Sequence, residues 1–465
     1  MATAEHDVVI VGGGPGGYAA ALYGAAAGLD VGLVERDKVG GTCLHRGCIP
    51  AKELLETAAV HRTVSRAKDF GIEAGQPSLD FSVTQDRKQK VVDQLFKGLA
   101  GLLKRRKVTI YDGQGSLASG HTVTVSNDGD ETQVTGDAVI LATGSLPRDL
   151  PGFDVDSELV VNSDQALFLD QLPSSAAVIG GGAIGCEFAS MMADLGTQVT
   201  VLEALPKIIP GADDDVTKVV RKSFEKRGID IRTGVEVKGH EPAKGGTSVQ
   251  FGDGESIDVD LVVVSIGRRP LSEELGLDGT AVEVDDKGFV VVDELCRTGE
   301  DGVWAVGDVI ATPQLAHVGF AEAIVAIKQV LGEDAVPVDH QRVPWCIYCH
   351  PEVAFAGMSE AAAKDAGMDV VTSTHRFAGN GRAMIVGETE GLVKVIAEKE
   401  GDGAGRILGV HMVGPWVTEQ LGQGYLSVNW EATATEAAEY IQPHPTMSEL
   451  FGESVMSLTG RGLHG

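Results

Sequence analysis

The stretch DVVIVGGGPGGYAAALYGAAAGLDVGLVE, residues 7–35, reads as an apolar strand, a glycine turn, an alanine-rich helix and a second strand ending in Glu35. This is a complete βαβ unit, and its glycine spacing has a physical meaning at each position. Gly12 makes the tight turn and Gly14 lets the backbone approach a pyrophosphate. Gly17 lets the helix pack closely on the strand, with the phosphates at the helix N-terminus. Glu35 lies 18 residues after Gly17, where a carboxylate can accept hydrogen bonds from ribose hydroxyls.

The same grammar returns at residues 177–203, AVIGGGAIGCEFASMMADLGTQVTVLE, with Gly180, Gly182 and Gly185 forming the turn and Glu203 closing the second strand. A lone G-x-G-x-x-G is weak; two complete copies 168 residues apart predict two bound dinucleotides. Glu203 favours a free 2'-hydroxyl and repels a 2'-phosphate, and no arginine follows in ALPKIIP, so NAD is preferred over NADP. Lys207 lies nearby and is the one cation in that loop.

The rest of the chain bounds the class. Its 465 residues suit about three domains, and 43% hydrophobic residues supply ample core. A net charge of -29 argues against nucleic acid and anionic membrane as partners. The run Lys104, Arg105, Arg106, Lys107 ends an amphipathic pattern (Val92, Leu95, Leu99, Leu102, Leu103), as expected of a solvated helix C-terminus. No run of 18 apolar residues and no secretory signal are visible, so a cytoplasmic protein without a membrane span is expected.

Downstream of the first βαβ unit, GGTCLHRGCIPAK at residues 40–52 places Cys43 and Cys48 five positions apart, just before a helical pattern. That is the layout of a redox-active disulfide beside a flavin; a structural staple or two unpaired core cysteines are the alternatives. A staple closing so short a loop removes little unfolded-state entropy, and nothing indicates an oxidising compartment. Two further strands end in glycine turns, AVILATGSLP at 138–147 with Thr143, Gly144 and Ser145, and GVWAVGDV at 302–309 with Gly307 and Asp308. Asp308 is placed to accept from a ribityl or ribose hydroxyl.

Two patterns are decoys. CIYCH at 346–350 spells a haem-attachment and a C-x-x-C motif, but no export signal and no further ligands accompany it, so a packed strand is expected and no metal site is assigned. Asp213, Asp214 and Asp215 precede an amphipathic helix and read as N-terminal caps.

Taken together, VGGGPGGY, the cysteine segment, ATGS, GGGAIGCE, SIGRRP at 265–270, VWAVGD, LAH at 315–317, VPW and HPEVAFAG at 343–357, and HPTMSE at 444–449 resemble the flavoprotein pyridine nucleotide-disulfide oxidoreductases of class I. The resemblance covers essentially the whole chain. It implies an α/β fold with two Rossmann-like domains, for FAD and NAD, and a C-terminal α+β dimerisation domain. The cuts it implies are 1–149 for the FAD domain, 150–270 for the NAD domain, 271–341 completing the FAD domain, and 342–465 for the interface domain; Pro147, Pro151, Gly152, Arg269 and Pro270 punctuate the first two.

The implied activity is oxidation of protein-bound dihydrolipoamide by NAD through FAD and a Cys43–Cys48 disulfide, in a homodimer serving lipoyl domains of 2-oxoacid dehydrogenase or glycine-cleavage complexes. By the same resemblance, Cys43 exchanges with the dithiol, Cys48 lies against the flavin, Lys52 reaches the flavin ring and Glu187 is its ion-pair partner. His444 is the base, oriented by Glu449 and delivered from the other subunit. Thr42, Gly115, Leu315, Ala316 and His317 match further flavin contacts, while Val237 and Gly267 match the NAD site. His45, Ala51 and Leu271 depart from the common pattern. His45 lies within the cysteine loop and bears on thiol pKa or substrate access. A reductase of another small disulfide using NAD(P)H is the neighbouring reading, although RGLHG lacks the extra thiols some such enzymes use. A non-catalytic flavoprotein assembly subunit is the reading from another class.

Overall fold

A computed structural model describes residues 3–118, 121–156, 158–401 and 403–464. The chain is α/β and divides into two compact units. The first comprises Met1–Glu53, Ser82–Arg148 and Gly267–His340, and the second Leu54–Phe81, Asp149–Ile266 and Gln341–Gly465.

The first unit is built on parallel strands Thr109–Asp112, Val31–Glu35, Thr3–Val11, Asp130–Leu141 and Val303–Ala305, hydrogen-bonded in that order. Val8, Val9, Ile10, Val139, Ile140 and Leu141 are fully buried, which is why these strands read as unbroken apolar runs rather than alternating ones. Asp130–Leu141 serves twice, since its first half also closes an antiparallel meander with Gln114–Ala118 and Thr122–Asn127. Helices Pro15–Ala26 and Ala316–Val330 pack on the sheet, and Gly24 abuts Ile327 where they cross.

In helix Phe81–Arg105, Lys104 and Arg105 do fall in the last turn. Val92 and Leu103 are buried, whereas Leu95 is exposed in the single chain.

The second unit holds a five-stranded parallel sheet in the order Asp230–Thr233, Gln198–Glu203, Ser175–Ile179, Leu261–Val264, Val160–Asn162. In both parallel sheets the glycine turn follows the strand at which the order reverses, the crevice where open α/β sheets bind ligands. The same unit contains a five-stranded antiparallel sheet, Trp345–Ile347, Glu352–Gly357, Gly403–Gly414, Leu392–Glu400, Val370–Arg376, covered by helices Val417–Asn429 and Glu449–Leu458. The predicted strands LVKVIAE and ILGVHMVG are thus neighbours in one sheet.

A buried ionic cluster ties the parallel half of this unit to the antiparallel half. Asp213 caps helix Asp214–Lys226 by accepting from the Asp215 N–H, as the acidic run predicts. Lys394 Nζ lies 3.0 Å from Asp213, 2.9 Å from Asp215 and 2.6 Å from Glu360. Burial works against the Lys394 charge, yet the three carboxylates hold its pKa above the ordinary lysine value. His411, fully buried and stacked on Phe355, accepts the Asp213 N–H at Nδ1.

Candidate active site

The two βαβ turns share one geometry. Gly12 and Gly180 both have positive φ (+105° and +104°), and a Cβ on either would strike a carbonyl of the neighbouring strand end, at Ala142 and Ser265 respectively. At Gly17 and Gly185 a Cβ would collide with the Gly12 and Gly180 carbonyls, so helix and strand approach as closely as backbone allows.

The strand-end acids also match. Glu35 accepts from the Gly13 N–H at 2.7 Å and the Asp37 N–H at 2.8 Å; Glu203 accepts from Gly181 at 2.5 Å and Leu205 at 2.7 Å. Each carboxylate therefore locks its glycine turn through both of its oxygens. Lys207 is occupied: its Nζ is 2.6 Å from Asp214.

A dinucleotide fits both turns. Gly14 and Gly182, the N-caps of the two helices, have nothing nearer than 3.9 Å where a side chain would stand, so bare backbone is presented at the helix N-termini; Gly144 and Gly307 are likewise open at the ends of neighbouring strands. Ser145 and Asp308 add a polar wall to the first cradle. The Ser145 hydroxyl donates to Asp308 at 2.6 Å and accepts from Arg268 Nε at 2.7 Å. Burial raises the Asp308 pKa, against the lowering pull of Ser145 and Arg268. Thr143 donates to the Leu271 carbonyl at 2.6 Å, and the Leu271 N–H returns a bond to Gly144. Leu271, a departure from the common pattern, is buried and braces this turn.

The cysteine segment is tied to the first glycine turn. The Gly40 N–H donates to the Gly13 carbonyl at 2.7 Å, and a Cβ on Gly41 would lie 2.6 Å from Gly14 Cα. Thr42 and Cys43 sit in the short helix Gly41–Arg46, Gly47 breaks it, and Cys48 opens helix Cys48–Ser65, which also carries Ala51 and Lys52. That break brings Cys43 and Cys48 to a Cα separation of 4.7 Å, and they form a disulfide. Among the other cysteines, Cys186, Cys296 and Cys349 are buried, and Cys346 is half-buried. Within the loop, His45 Nε2 is 3.0 Å from the Val39 carbonyl and its ring meets Phe96 edge-on, while Arg46 pairs with Asp37. Both side chains are thus held by local partners.

His444 Nδ1 lies 2.7 Å from Glu449 Oε1, and Glu449 Oε2 accepts the Thr446 N–H at 2.7 Å. Asn380 and Gln423 fix the Thr446 and Ser448 carbonyls, holding the turn that presents the pair. Disulfide and imidazole belong to different units of the chain, as do Lys52 and Glu187, and Gly267 and Val237.

The other sequence-predicted positions are placed as follows. Gly115 is buried in the meander, where a Cβ would press on Val11 and Val34. Leu315 is the N-cap of helix Ala316–Val330, which carries Ala316 and His317 in its first turn. Val237 begins a strand and Gly267 accepts the Arg148 N–H. Arg268 was not singled out from the sequence; the paired arginines of SIGRRP were its only local signal.

A glycine-turn cradle tied through Gly40 to the segment that carries a disulfide defines a class of redox enzyme, and comparison with known proteins agrees. Residues 6–323 match the pyridine nucleotide-disulphide oxidoreductase family and residues 343–455 match its dimerisation domain. The chain belongs to that family, whose enzymes use FAD and NAD. It is similar to a dihydrolipoyl dehydrogenase of Bacillus subtilis (41% identical, covering 100% of both chains). It also resembles a dihydrolipoamide dehydrogenase of Chaetomium thermophilum (38%, covering 99% of this chain and 92% of that one). Among solved structures, LpdA of Mycobacterium tuberculosis superposes with a TM-score of 0.92 at 25% identity, covering 98% of this chain and 100% of the other. The HOCl-induced flavoprotein disulfide reductase RclA of Escherichia coli gives 0.86 at 27%, covering 97% and 99%. Among the described residues no helix is long and apolar enough to cross a membrane.

Proposed function

We propose that this protein oxidises protein-bound dihydrolipoamide with NAD, as the shared component of 2-oxoacid dehydrogenase or glycine-cleavage complexes in the cytoplasm. The observation that carries the reading is the Cys43–Cys48 disulfide fastened to the glycine turn through Gly40 and Gly13. Similarity to dihydrolipoyl dehydrogenases over the whole chain supports the substrate. The FAD domain is residues 1–149 with 271–341, the NAD domain 150–270, and the interface domain 342–465.

In this reading His444 Nε2 takes a thiol proton, because Nδ1 is committed to Glu449. The resulting thiolate attacks Cys43 Sγ and Cys48 leaves as a thiolate; attack by the second thiol on the mixed disulfide then frees the oxidised ring and Cys43. Bound FAD supplies the chemistry that returns the electron pair to NAD. Gly12, Gly14, Gly17, Glu35, Thr42, Gly115, Thr143, Gly144, Ser145, Asp308, Leu315, Ala316 and His317 hold FAD, with Lys52 at its ring. Gly180, Gly182, Gly185, Glu203, Val237 and Gly267 would hold NAD, with Glu187 as the ion-pair partner of Lys52. Engagement by Asp214 of Lys207, the one cation in the sequence ALPKIIP that follows Glu203, supports NAD over NADP.

The base reaches the disulfide of a partner subunit, so the working unit is a homodimer; the match to the dimerisation domain supports this. Mixing inactive His444→Ala and Cys43→Ser dimers under subunit exchange should restore activity. No recovery despite verified exchange contradicts a shared site.

A further inference from the structure

The side chains of the C-x-x-C-H segment, residues 346–350, turn largely inward. Cys349 is buried with its Sγ 3.2 Å from the Pro351 carbonyl, and burial pushes its thiol pKa up. Burial, with Arg62, Arg227 and Arg66 nearby, drives the His350 pKa down to about 3. Both side chains are packed in the protein, and the backbone of the segment makes the contacts that follow.

Two backbone N–H groups of this segment meet one face of helix Ala183–Asp194, and one carbonyl meets Arg227. The Tyr348 N–H donates to Glu187 Oε1 at 2.9 Å, the His350 N–H donates to Ser190 Oγ at 2.9 Å, and the His350 carbonyl accepts from Arg227. Arg227 closes the arrangement by donating to Ser190 Oγ at 3.2 Å and to Asp194 Oδ1 at 2.7 Å. Arg62, near the end of the helix that begins at Cys48, takes the other Asp194 oxygen at 2.5 Å. Positions 187, 190 and 194 recur on one stripe of a helix, so bonds at all three fix both its rotation and its axial position. Ser190 is fully buried, and its hydroxyl is the point where segment, helix and Arg227 converge.

We propose that residues 346–350 form a strap that positions the pyridine-nucleotide-binding helix and its Glu187, with Ser190 and Arg227 as the positioning residues. The helix begins at Gly182, the pyrophosphate end, and Glu187 lies just over one turn further on. Rotating it moves the pyrophosphate end of the NAD site and Glu187 together. The inference rests on the proposed NAD-binding role of this helix.

The test uses the FAD-loaded dimer and the variants Ser190→Ala and Arg227→Ala. Two readouts are compared: NADH affinity by isothermal titration together with NADH-to-ferricyanide turnover, and the rate of flavin bleaching by dihydrolipoamide. The strap predicts NADH affinity and ferricyanide turnover lower by roughly tenfold, unchanged bleaching by the dithiol, and partial rescue of Arg227→Ala by added guanidinium. Equal losses on both sides, or no loss on either, overturn it; if Arg227→Ala does not fold, Ser190→Ala decides alone. Ferricyanide turnover does not depend on the disulfide substrate, so a wild-type enzyme inactive towards lipoamide would refute the proposed function and leave the strap standing.

Discussion

His444 Nδ1 and Glu449 Oε1 are 2.7 Å apart, while the second Glu449 oxygen is held by the Thr446 N–H. An ionised carboxylate only accepts, so Nδ1 carries the hydrogen and Nε2 is left as the basic lone pair. The ring is 79% exposed in the single chain, available to a thiol brought by another molecule.

His444→Ala should therefore lower kcat for dihydrolipoamide by about 10²- to 10⁴-fold, the usual contribution of a positioned base. Turnover of NADH with ferricyanide should stay near the parent value. Steady-state assays of both reactions on the same preparation check this; equal loss in both would remove His444 from the dithiol half of the reaction.

How far the sequence reaches depends on the range of each interaction. The Cys43–Cys48 pair and the turns at Gly12 and Gly180 are local devices, so their spacing is visible along the chain. Asp308 and Ser145 are 163 residues apart, and Glu187 and Tyr348 are 161 apart, so no local pattern shows that they meet. The sequence predicts ribose contacts for Glu35 and Glu203; the backbone N–H groups they also hold depend on how the turn closes in three dimensions. CIYCH reads as a packed strand, and Trp345–Ile347 is one, but the bonds its amides make to Glu187 and Ser190 span about 160 residues of chain and leave no local trace. Asp213 is legible as a cap, but Lys394 beneath it is not, because a lysine within the apolar run LVKVIAE gives no hint of three carboxylates.

Lys394→Met should destabilise the chain by about 3–5 kcal/mol, because it leaves Asp213 buried without its counter-ion. The measurement is the urea midpoint at neutral pH. Adding Asp213→Asn should recover part of the loss, and a single variant as stable as the parent would deny the cluster its role.

Acid should weaken the fold as the pH drops below neutrality. Burial holds the His411 pKa down to about 4 and the His350 pKa down to about 3, whereas both titrate near 6.5 once unfolded. Between those limits the unfolded chain holds more protons than the folded one, so stability falls as pH falls below about 6.5. His411→Gln, which keeps an acceptor for the Asp213 N–H, should flatten the decline between pH 7 and pH 5 in urea unfolding; a curve parallel to that of the parent would contradict this.

Ile441 is 90% exposed and Tyr440 65% exposed, three and four residues before His444. A charge at this apolar site should oppose pairing of subunits. Ile441→Glu is expected to give monomer by sedimentation and to lose dihydrolipoamide turnover, with its Cys43–Cys48 disulfide intact. A fully active monomer would contradict a site shared between chains.

The central claim is tested most directly by steady-state turnover of the FAD-loaded protein with dihydrolipoamide and NAD, set beside NADP and beside NADPH with small disulfides such as oxidised glutathione. NAD should be reduced rapidly by dihydrolipoamide, with the reaction abolished in Cys48→Ser and with NADP and the small disulfides poor. Turnover confined to NADPH and small disulfides would contradict it.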